Sequence, residues 1–119
     1  MHQEIKDFKD LIVWQKAILF AKEVYCLTKC FPGDERFGLT AQVRRAAVSV
    51  PSNIAEGHSR QGREFAHFLS IARGSLAEVE SQLLLAVELG YVQSPHLVNA
   101  LGLIGELRRM AVSLANKLL

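Results

Sequence analysis

The stretch from Phe65 to Ala86 reads FAHFLSIARGSLAEVESQLLLA and decides the fold. Its apolar residues recur alternately four and three positions apart, at Phe65, Leu69, Ala72, Leu76, Val79, Leu83 and Ala86. This spacing forms one apolar stripe along an α-helix, the seam on which coiled-coil-like packing depends. The stretch therefore predicts a long helix, over about residues 63–89, that packs against other helices.

Capping residues place one further helix after this stretch. Gly90 suits the position just past a helix end. Ser94 suits an N-cap and Pro95 the first helical position, which predicts a last helix over about residues 95–119.

Two more helices are expected before the long helix over residues 63–89. Asp10 is a suitable N-cap for a helix over about residues 11–30, which Pro32 and Gly33 end. A second helix is expected over about residues 39–57, with Pro51 kinking it from within.

Four helices with short connections predict an all-α fold, an antiparallel up-down-up-down four-helix bundle that forms a single domain over residues 1–119. Half of the residues are apolar and the mean hydropathy is +0.15, which is high for a small soluble domain. Burying the excess against further copies of the chain would explain it, so we expect a homo-oligomer. No signal-peptide pattern and no membrane-spanning stretch is present, which predicts a cytoplasmic protein without a membrane partner.

The positive charge is concentrated in the middle of the chain and consists of arginine. Residues 36–73 contain six arginines and two acidic residues, whereas the segments on either side each have a slight acidic excess. The candidate nucleic-acid-binding residues are Arg44, Arg45, Arg60, Arg63 and Arg73, with Arg36 just before them. Ordinary surface charge is the alternative for each of them. Because the aromatic residues near this group, Phe65 and Phe68, occupy core positions, base stacking is not expected.

A second candidate feature is a layer of polar side chains between the second and third helices. A turn near residue 60 would place residues whose numbers sum to about 120 at the same level. The layer would then consist of Ser49, Asn53, Glu56, Ser75, Glu78 and Gln82, with Arg45 paired to Glu78. It is interpreted either as a satisfied polar layer or as the lining of a groove.

Small residues on the third helix suggest a close contact with the second. Ser70, Gly74, Ala77 and Ser81 form a stripe, and Gly74 is expected to face Ala46. A glycine inside a helix costs about 1 kcal/mol relative to alanine, so a close approach would account for it.

The sequence contains no pattern that indicates catalysis. A phosphate-binding loop, a nucleophile elbow and a zinc-protease helix are all absent, so no enzyme activity and no cofactor are expected. Only one Glu-x-x-His copy occurs, at Glu64 and His67, where a di-iron bundle needs two. Cys26 and Cys30 are interpreted as reduced, half-buried residues, and no metal site is expected.

Three motifs resemble a known family. They are DLIVWQKA at residues 10–17, RRAAVSVPSNIAEG at residues 44–57, and FAHFLSIARGSLAE at residues 65–78. Together they closely resemble the four-helix-bundle proteins encoded in intervening sequences of large-subunit (23S) ribosomal RNA genes. The resemblance covers nearly the whole chain, and the motif around the helix-breaking proline is its most specific part.

The resemblance implies a homopentamer around a central pore. It also implies kinship with accessory proteins of diversity-generating retroelements, which are similar barrels thought to bind nucleic acid and a reverse transcriptase. The chain departs from the pattern after Gly57, where a turn that is often rich in lysine reads HSRQGR.

Two functions remain open from the sequence. The first is an oligomer that binds RNA or DNA through the arginines of the second and third helices. The second is a structural or adaptor oligomer that presents a surface to a protein partner and has no nucleic-acid role.

Overall fold

The computed structural model describes residues 5–119, and all of the regular structure in this range is helical. The four helices are α1 (Ile12–Thr28), α2 (Leu39–Arg60), α3 (Gly62–Glu88) and α4 (Val98–Leu118). Single 3-10 turns at Phe8–Asp10, Gly33–Glu35 and Ser94–Leu97 lead into α1, α2 and α4. The all-α class predicted from the sequence is confirmed.

The core is built around the apolar stripe of α3, whose seven residues are all buried. Phe20 of α1, Ile54 of α2 and Leu107 of α4 pack into the same cluster with almost no exposed surface. Complete burial of side chains of this size stabilises the fold by about 1.5–3 kcal/mol each. The alternating spacing of α3 therefore places its side chains where the other three helices meet.

Contacts join each helix to the next one along the chain, and α4 packs back on α1. Arg44 of α2 contacts Thr28 at the end of α1, while Arg108 of α4 pairs with Glu80 of α3. An ion pair between Lys16 and Glu106 joins α1 to α4. None of the helices within residues 5–119 combines the length and apolarity needed to cross a bilayer.

The connection between α2 and α3 is a single residue, Gln61, because α2 continues three residues past its predicted end. Gln61 has φ 64° and ψ 168°, a backbone conformation adopted almost only by glycine. The shorter connection moves the pairing of the two helices by about one turn. Ser49 therefore lies opposite Ser75, and the two hydroxyls share a hydrogen bond, whereas the sequence-based register placed Ser49 opposite Ile71.

The close approach of α2 and α3 occurs at Gly57 and not at Gly74. A Cβ at Gly57 would lie 2.7 Å from Phe68 Cβ and 2.9 Å from Phe65 Cδ1. Gly74 has no atom within 4 Å of the corresponding position. The predicted contact of the small-residue stripe with α2 is therefore wrong: Ser70, Gly74, Ala77 and Ser81 are all exposed on the outer side of α3.

The starts of α1 and α4 differ from the predictions, whereas the end of α3 agrees with its prediction. Asp10 does not cap α1; its carboxylate accepts the N–H groups of Lys6 and Asp7, and these hydrogen bonds hold its pKa below the ordinary value. Ser94 begins a 3-10 turn instead of capping α4.

The end of α3 has the predicted glycine cap. Gly90 has φ 80°, and the N–H groups of Gly90 and Tyr91 donate to the carbonyls of Val87 and Ala86. These two hydrogen bonds form the Schellman motif that commonly ends a helix. Pro51 is buried within α2, which continues as one helix through it.

Candidate functional site

The five candidate arginines lie at three separate places on the bundle. Arg44 and Arg45 lie near the start of α2, where the preceding loop places Arg36 beside them. Arg60 lies at the opposite end of α2, about 24 Å away at 1.5 Å per residue. Arg63 and Arg73 line a groove between α3 and α4. The basic residues therefore do not form one continuous patch on a single copy of the chain.

Arg44 is held in place by α1. Its Nε donates to Thr28 Oγ1 at 2.8 Å, and its guanidinium carbon lies 4.6 Å from the centre of the Tyr25 ring. Thr28 itself is buried and donates to the carbonyl of Val24 at 2.9 Å. Because these contacts fix the side chain before any ligand arrives, Arg44 loses little conformational freedom on binding an anion.

A depression of about 500 Å³ opens beside Arg44, and we call it the basic depression. Its lining consists of Tyr25, Arg36, Phe37, Thr40, Ala41, Arg44, Arg45 and Val48. It contains three guanidinium groups and no carboxylate. Among residues 5–119, no acidic side chain lies within ion-pairing distance of Arg36 or Arg45. Both charges are therefore available to an anionic partner.

An aromatic ring stands at the rim of the basic depression. The side chain of Phe37 is 89% exposed, more than any other large apolar side chain described, and the Arg36 guanidinium lies 5.5 Å from its ring centre. The expectation that only Phe65 and Phe68 lie near the arginines is wrong. Tyr25 was missed because it is 19 residues from Arg44 in the sequence. The signal for Phe37 was its position between Arg36 and Gly38 in a turn, where no helical stripe would bury it.

Arg60 is already paired with acidic residues. Its guanidinium lies 3.0 Å from Glu56 Oε1 and 3.4 Å from Glu64 Oε2. The hydrogen bond and charge of Glu56, with the charge of Glu64, raise the pKa of Arg60 above its ordinary value. Two carboxylates around one guanidinium neutralise its charge locally, so Arg60 is a poor phosphate ligand.

The groove between α3 and α4 contains Arg63, His67 and Arg73. Nε of Arg73 is buried and has no hydrogen-bond partner within the described part of the chain. Arg63 and His67 are exposed to solvent. His67 thus lies on the side of the molecule formed by α3 and α4. The sequence-based register had placed it level with Asn53 of α2.

The predicted polar layer is only partly assembled. Ser49 and Ser75 are hydrogen-bonded, and the Asn53 amide donates to the Ser49 carbonyl at 2.7 Å. Glu78 and Arg45 face the same shallow depression, yet no ion pair joins them, so the predicted pairing is wrong.

The other two members of the layer are not hydrogen-bonded into it. Glu56 binds Arg60 at the end of α2, away from the Ser49–Ser75 contact. The Oε1 atom of Gln82 is buried without a partner in the described structure. In the described residues the layer is thus a contact between two hydroxyls, with the Asn53 amide bound to the Ser49 carbonyl, and Ser49 and Glu78 line the depression beside Arg45.

Within the part of the chain that the structure describes, the cysteines and the other residues of metal-ligand type form no cluster. Cys26 and Cys30 are free and exposed, so the expectation that they are half-buried is wrong. They lie with His96 at a depression between α1 and α4. Within residues 5–119 no three His, Cys, Asp or Glu side chains are close enough together to hold a metal ion.

A family of known sequences matches most of the chain. No curated protein matches the chain. The sequence model of the 23S rRNA-intervening sequence protein matches residues 9–113, which span α1, α2, α3 and most of α4. The match includes the proline-containing motif of α2 and the apolar stripe of α3, on which the resemblance rested. The chain therefore belongs to the 23S rRNA-intervening sequence protein family.

Proposed function

We propose that this protein is a non-catalytic homo-oligomer that binds RNA through the basic depression. The observation that carries the proposal is the group of three arginines, Arg36, Arg44 and Arg45, in a depression without a carboxylate. Phosphate groups are the anions that such a surface binds in nucleic acids, and each contact releases counterions. The description of the family refers to 23S rRNA, which makes RNA the first ligand to test.

Exposed apolar residues support assembly with further copies of the chain. Ile71 and Leu85 are exposed on α3, beside the small-residue stripe that contains Gly74. Small residues allow a second helix to approach closely, and apolar neighbours favour its burial. We propose a ring of five copies, in which the basic depression is repeated and weak single contacts add through avidity.

Light scattering on a sizing column, with and without a mixture of short RNAs, tests both parts of the proposal. A ring is expected to have five times the mass of one chain and to gain mass with RNA. The RNA affinity is expected to fall with salt, with a log–log slope of about −0.7 to −0.9 per phosphate contact. A monomer would contradict the assembly, and a flat salt dependence would contradict the phosphate contacts.

Matched charge reversals locate the binding surface. Arg45→Glu is expected to weaken RNA binding at least about tenfold and to reduce the salt slope by about one contact in each copy. Arg109→Glu changes the net charge equally on the exposed side of α4, and its effect is expected to stay within about twofold. Equal losses in both variants would indicate a diffuse charge effect and would argue against the basic depression as the site.

A protein-binding role is the second candidate. The exposure of Phe37, Val98 and Leu119 favours it, because exposed apolar side chains often mark protein contacts. A ring that does not gain mass with RNA at any salt concentration would favour this adaptor function.

A further inference from the structure

We propose that the basic depression selects single-stranded RNA, by stacking one unpaired base on Phe37 while the neighbouring phosphates contact Arg44 and Arg45. This inference rests on the proposed RNA binding and specifies which form of RNA the site takes. It follows from the aromatic and cationic side chains that the fold brings together from α1, α2 and the loop between them.

Phe37 is presented by a braced loop. The N–H of Gly38 donates to the Glu35 carbonyl at 2.9 Å, and the N–H of Arg36 donates to the Gly33 carbonyl at 3.1 Å. The Glu35 side chain accepts hydrogen bonds from the Leu39 N–H and the Tyr91 hydroxyl, at 3.0 and 2.7 Å. These bonds fix the backbone on both sides of Phe37, so the loop presents its ring to solvent at a defined place. A fixed loop loses little backbone entropy when a base stacks on the ring that it carries.

The surroundings of the ring match a nucleotide. An aromatic face attracts any base, and the adjoining guanidinium groups supply donors for the phosphates that link it to its neighbours. The Arg36 guanidinium lies over the Phe37 ring at 5.5 Å, and the Arg44 guanidinium lies over the Tyr25 ring at 4.6 Å. The depression thus alternates rings with cations, an arrangement suited to a flexible strand whose bases and phosphates also alternate.

A duplex cannot use the ring in this way. Its bases are already paired and stacked on each other, so the face of an internal base cannot reach the ring without unstacking. A duplex therefore contacts the arginines alone, while an unpaired strand contacts the arginines and Phe37. The difference in affinity between single-stranded and duplex RNA should therefore depend on an aromatic ring at residue 37. An apolar side chain without a ring should not produce it.

The test compares a labelled 12-nucleotide pyrimidine RNA with a blunt RNA duplex of 12 base pairs, at fixed salt, by fluorescence anisotropy. Wild type is expected to bind the single strand about tenfold more tightly. Phe37→Leu keeps an apolar side chain but removes the ring, and it should lose most of this preference with little change in duplex binding. Phe37→Trp enlarges the ring and should retain the preference.

Three outcomes would overturn the inference. Equal binding of both RNAs by wild type would remove the selectivity. Wild-type affinity in Phe37→Leu would show that the ring makes no contact. A changed oligomeric mass in that variant, measured by light scattering, would assign Phe37 to a contact between copies. Arg45→Glu separates this inference from the proposed function, since it should weaken binding of both RNAs even if stacking is absent.

Discussion

The hydroxyl of Tyr91 donates a 2.7 Å hydrogen bond to Oε2 of Glu35, and this bond links the loop before α2 to the loop before α4. The other carboxylate oxygen of Glu35 accepts the N–H of Leu39, at the first turn of α2. The Schellman motif at Gly90 directs Tyr91 into this position, where its ring also packs 5.7 Å from Phe31. One carboxylate thus fixes the loop that carries Arg36 and Phe37.

The Glu35–Tyr91 contact predicts a dependence of stability on pH at both ends of the scale. Hydrogen bonds from Leu39 and Tyr91 lower the pKa of Glu35, and the hydrogen bond to Glu35 raises the pKa of Tyr91. A lowered carboxyl pKa stabilises the fold above the unfolded value of about 4.3, and the stabilisation is lost as the pH falls through the folded pKa. A raised tyrosine pKa stabilises the fold below about pH 10, and the effect is lost as the pH rises through the folded pKa.

Thermal unfolding of wild type and Tyr91→Phe between pH 3 and 11 checks this dependence. The difference in melting temperature should be largest near neutral pH and should shrink toward both extremes. A difference that stays constant with pH would show that the hydroxyl contributes nothing through Glu35.

Two glycines are predicted to respond to alanine in opposite directions. Gly57→Ala forces a Cβ against Phe65 and Phe68 and is expected to cost about 1–3 kcal/mol in the free energy of unfolding. Gly74→Ala adds a Cβ into open space on α3 and is expected to stabilise a single copy by about 1 kcal/mol. Urea denaturation measures both values.

The mass of the Gly74→Ala variant in solution tests whether the small-residue stripe forms the contact between copies. If the small-residue stripe packs against another copy in the ring, the added methyl groups should weaken assembly while the individual chain remains folded. Unchanged mass would place the contact between copies elsewhere on the bundle.

Gln61→Gly is predicted to stabilise the protein. The φ of 64° and ψ of 168° at Gln61 are strained for a side chain with a Cβ, and glycine removes a strain of about 1–3 kcal/mol. Part of this gain is offset because glycine is more flexible in the unfolded chain, so the net change is expected near 1 kcal/mol. Gly62→Ala, at a φ of 58°, is the control and should destabilise. A loss of stability in Gln61→Gly would contradict the strain.

Thr28→Val should weaken the support of the basic depression without adding or removing charge. The substitution keeps the shape of the buried side chain but leaves Nε of Arg44 without its 2.8 Å acceptor, at a cost of about 1 kcal/mol. RNA affinity should fall less than in Arg45→Glu, because the Arg44 charge remains. The control is Thr28→Ser, which retains the hydroxyl oxygen and should preserve RNA affinity better than Thr28→Val. Equal RNA affinity in the two variants would show that the hydrogen bond has no role in positioning Arg44.

The sequence was a reliable guide where one helix carries the signal by itself. The apolar stripe of α3 and the glycine cap at Gly90 follow from spacing and conformational preference within a few residues. The pairing between helices was less reliable, since one extra turn of α2 changes the partner of every residue across the connection. Ser49 therefore meets Ser75 and not Ile71. The other two errors have different causes: Gly74 lies on the exposed outer side of α3, and Arg45 and Glu78 line the same depression without forming an ion pair.

The candidate site shows the same limit. The arginines are visible in the sequence as a local excess of charge, but their division into three places depends on helix directions and lengths. The ring of Tyr25 joins the site only because α1 packs beside α2, and Phe37 does so only because the Glu35 contacts fix the loop. Neither relationship has a spacing that could be recognised along the chain.

The one-residue connection at Gln61 also bears on the order in which the chain folds. Contacts between α2 and α3 close a very short loop, which costs little entropy, whereas the Lys16–Glu106 contact joins opposite ends of the chain. We therefore expect the α2–α3 hairpin to form the folding nucleus, which α1 and α4 join later. Substitutions at Gly57 should mainly slow folding, and substitutions between α1 and α4 should mainly accelerate unfolding.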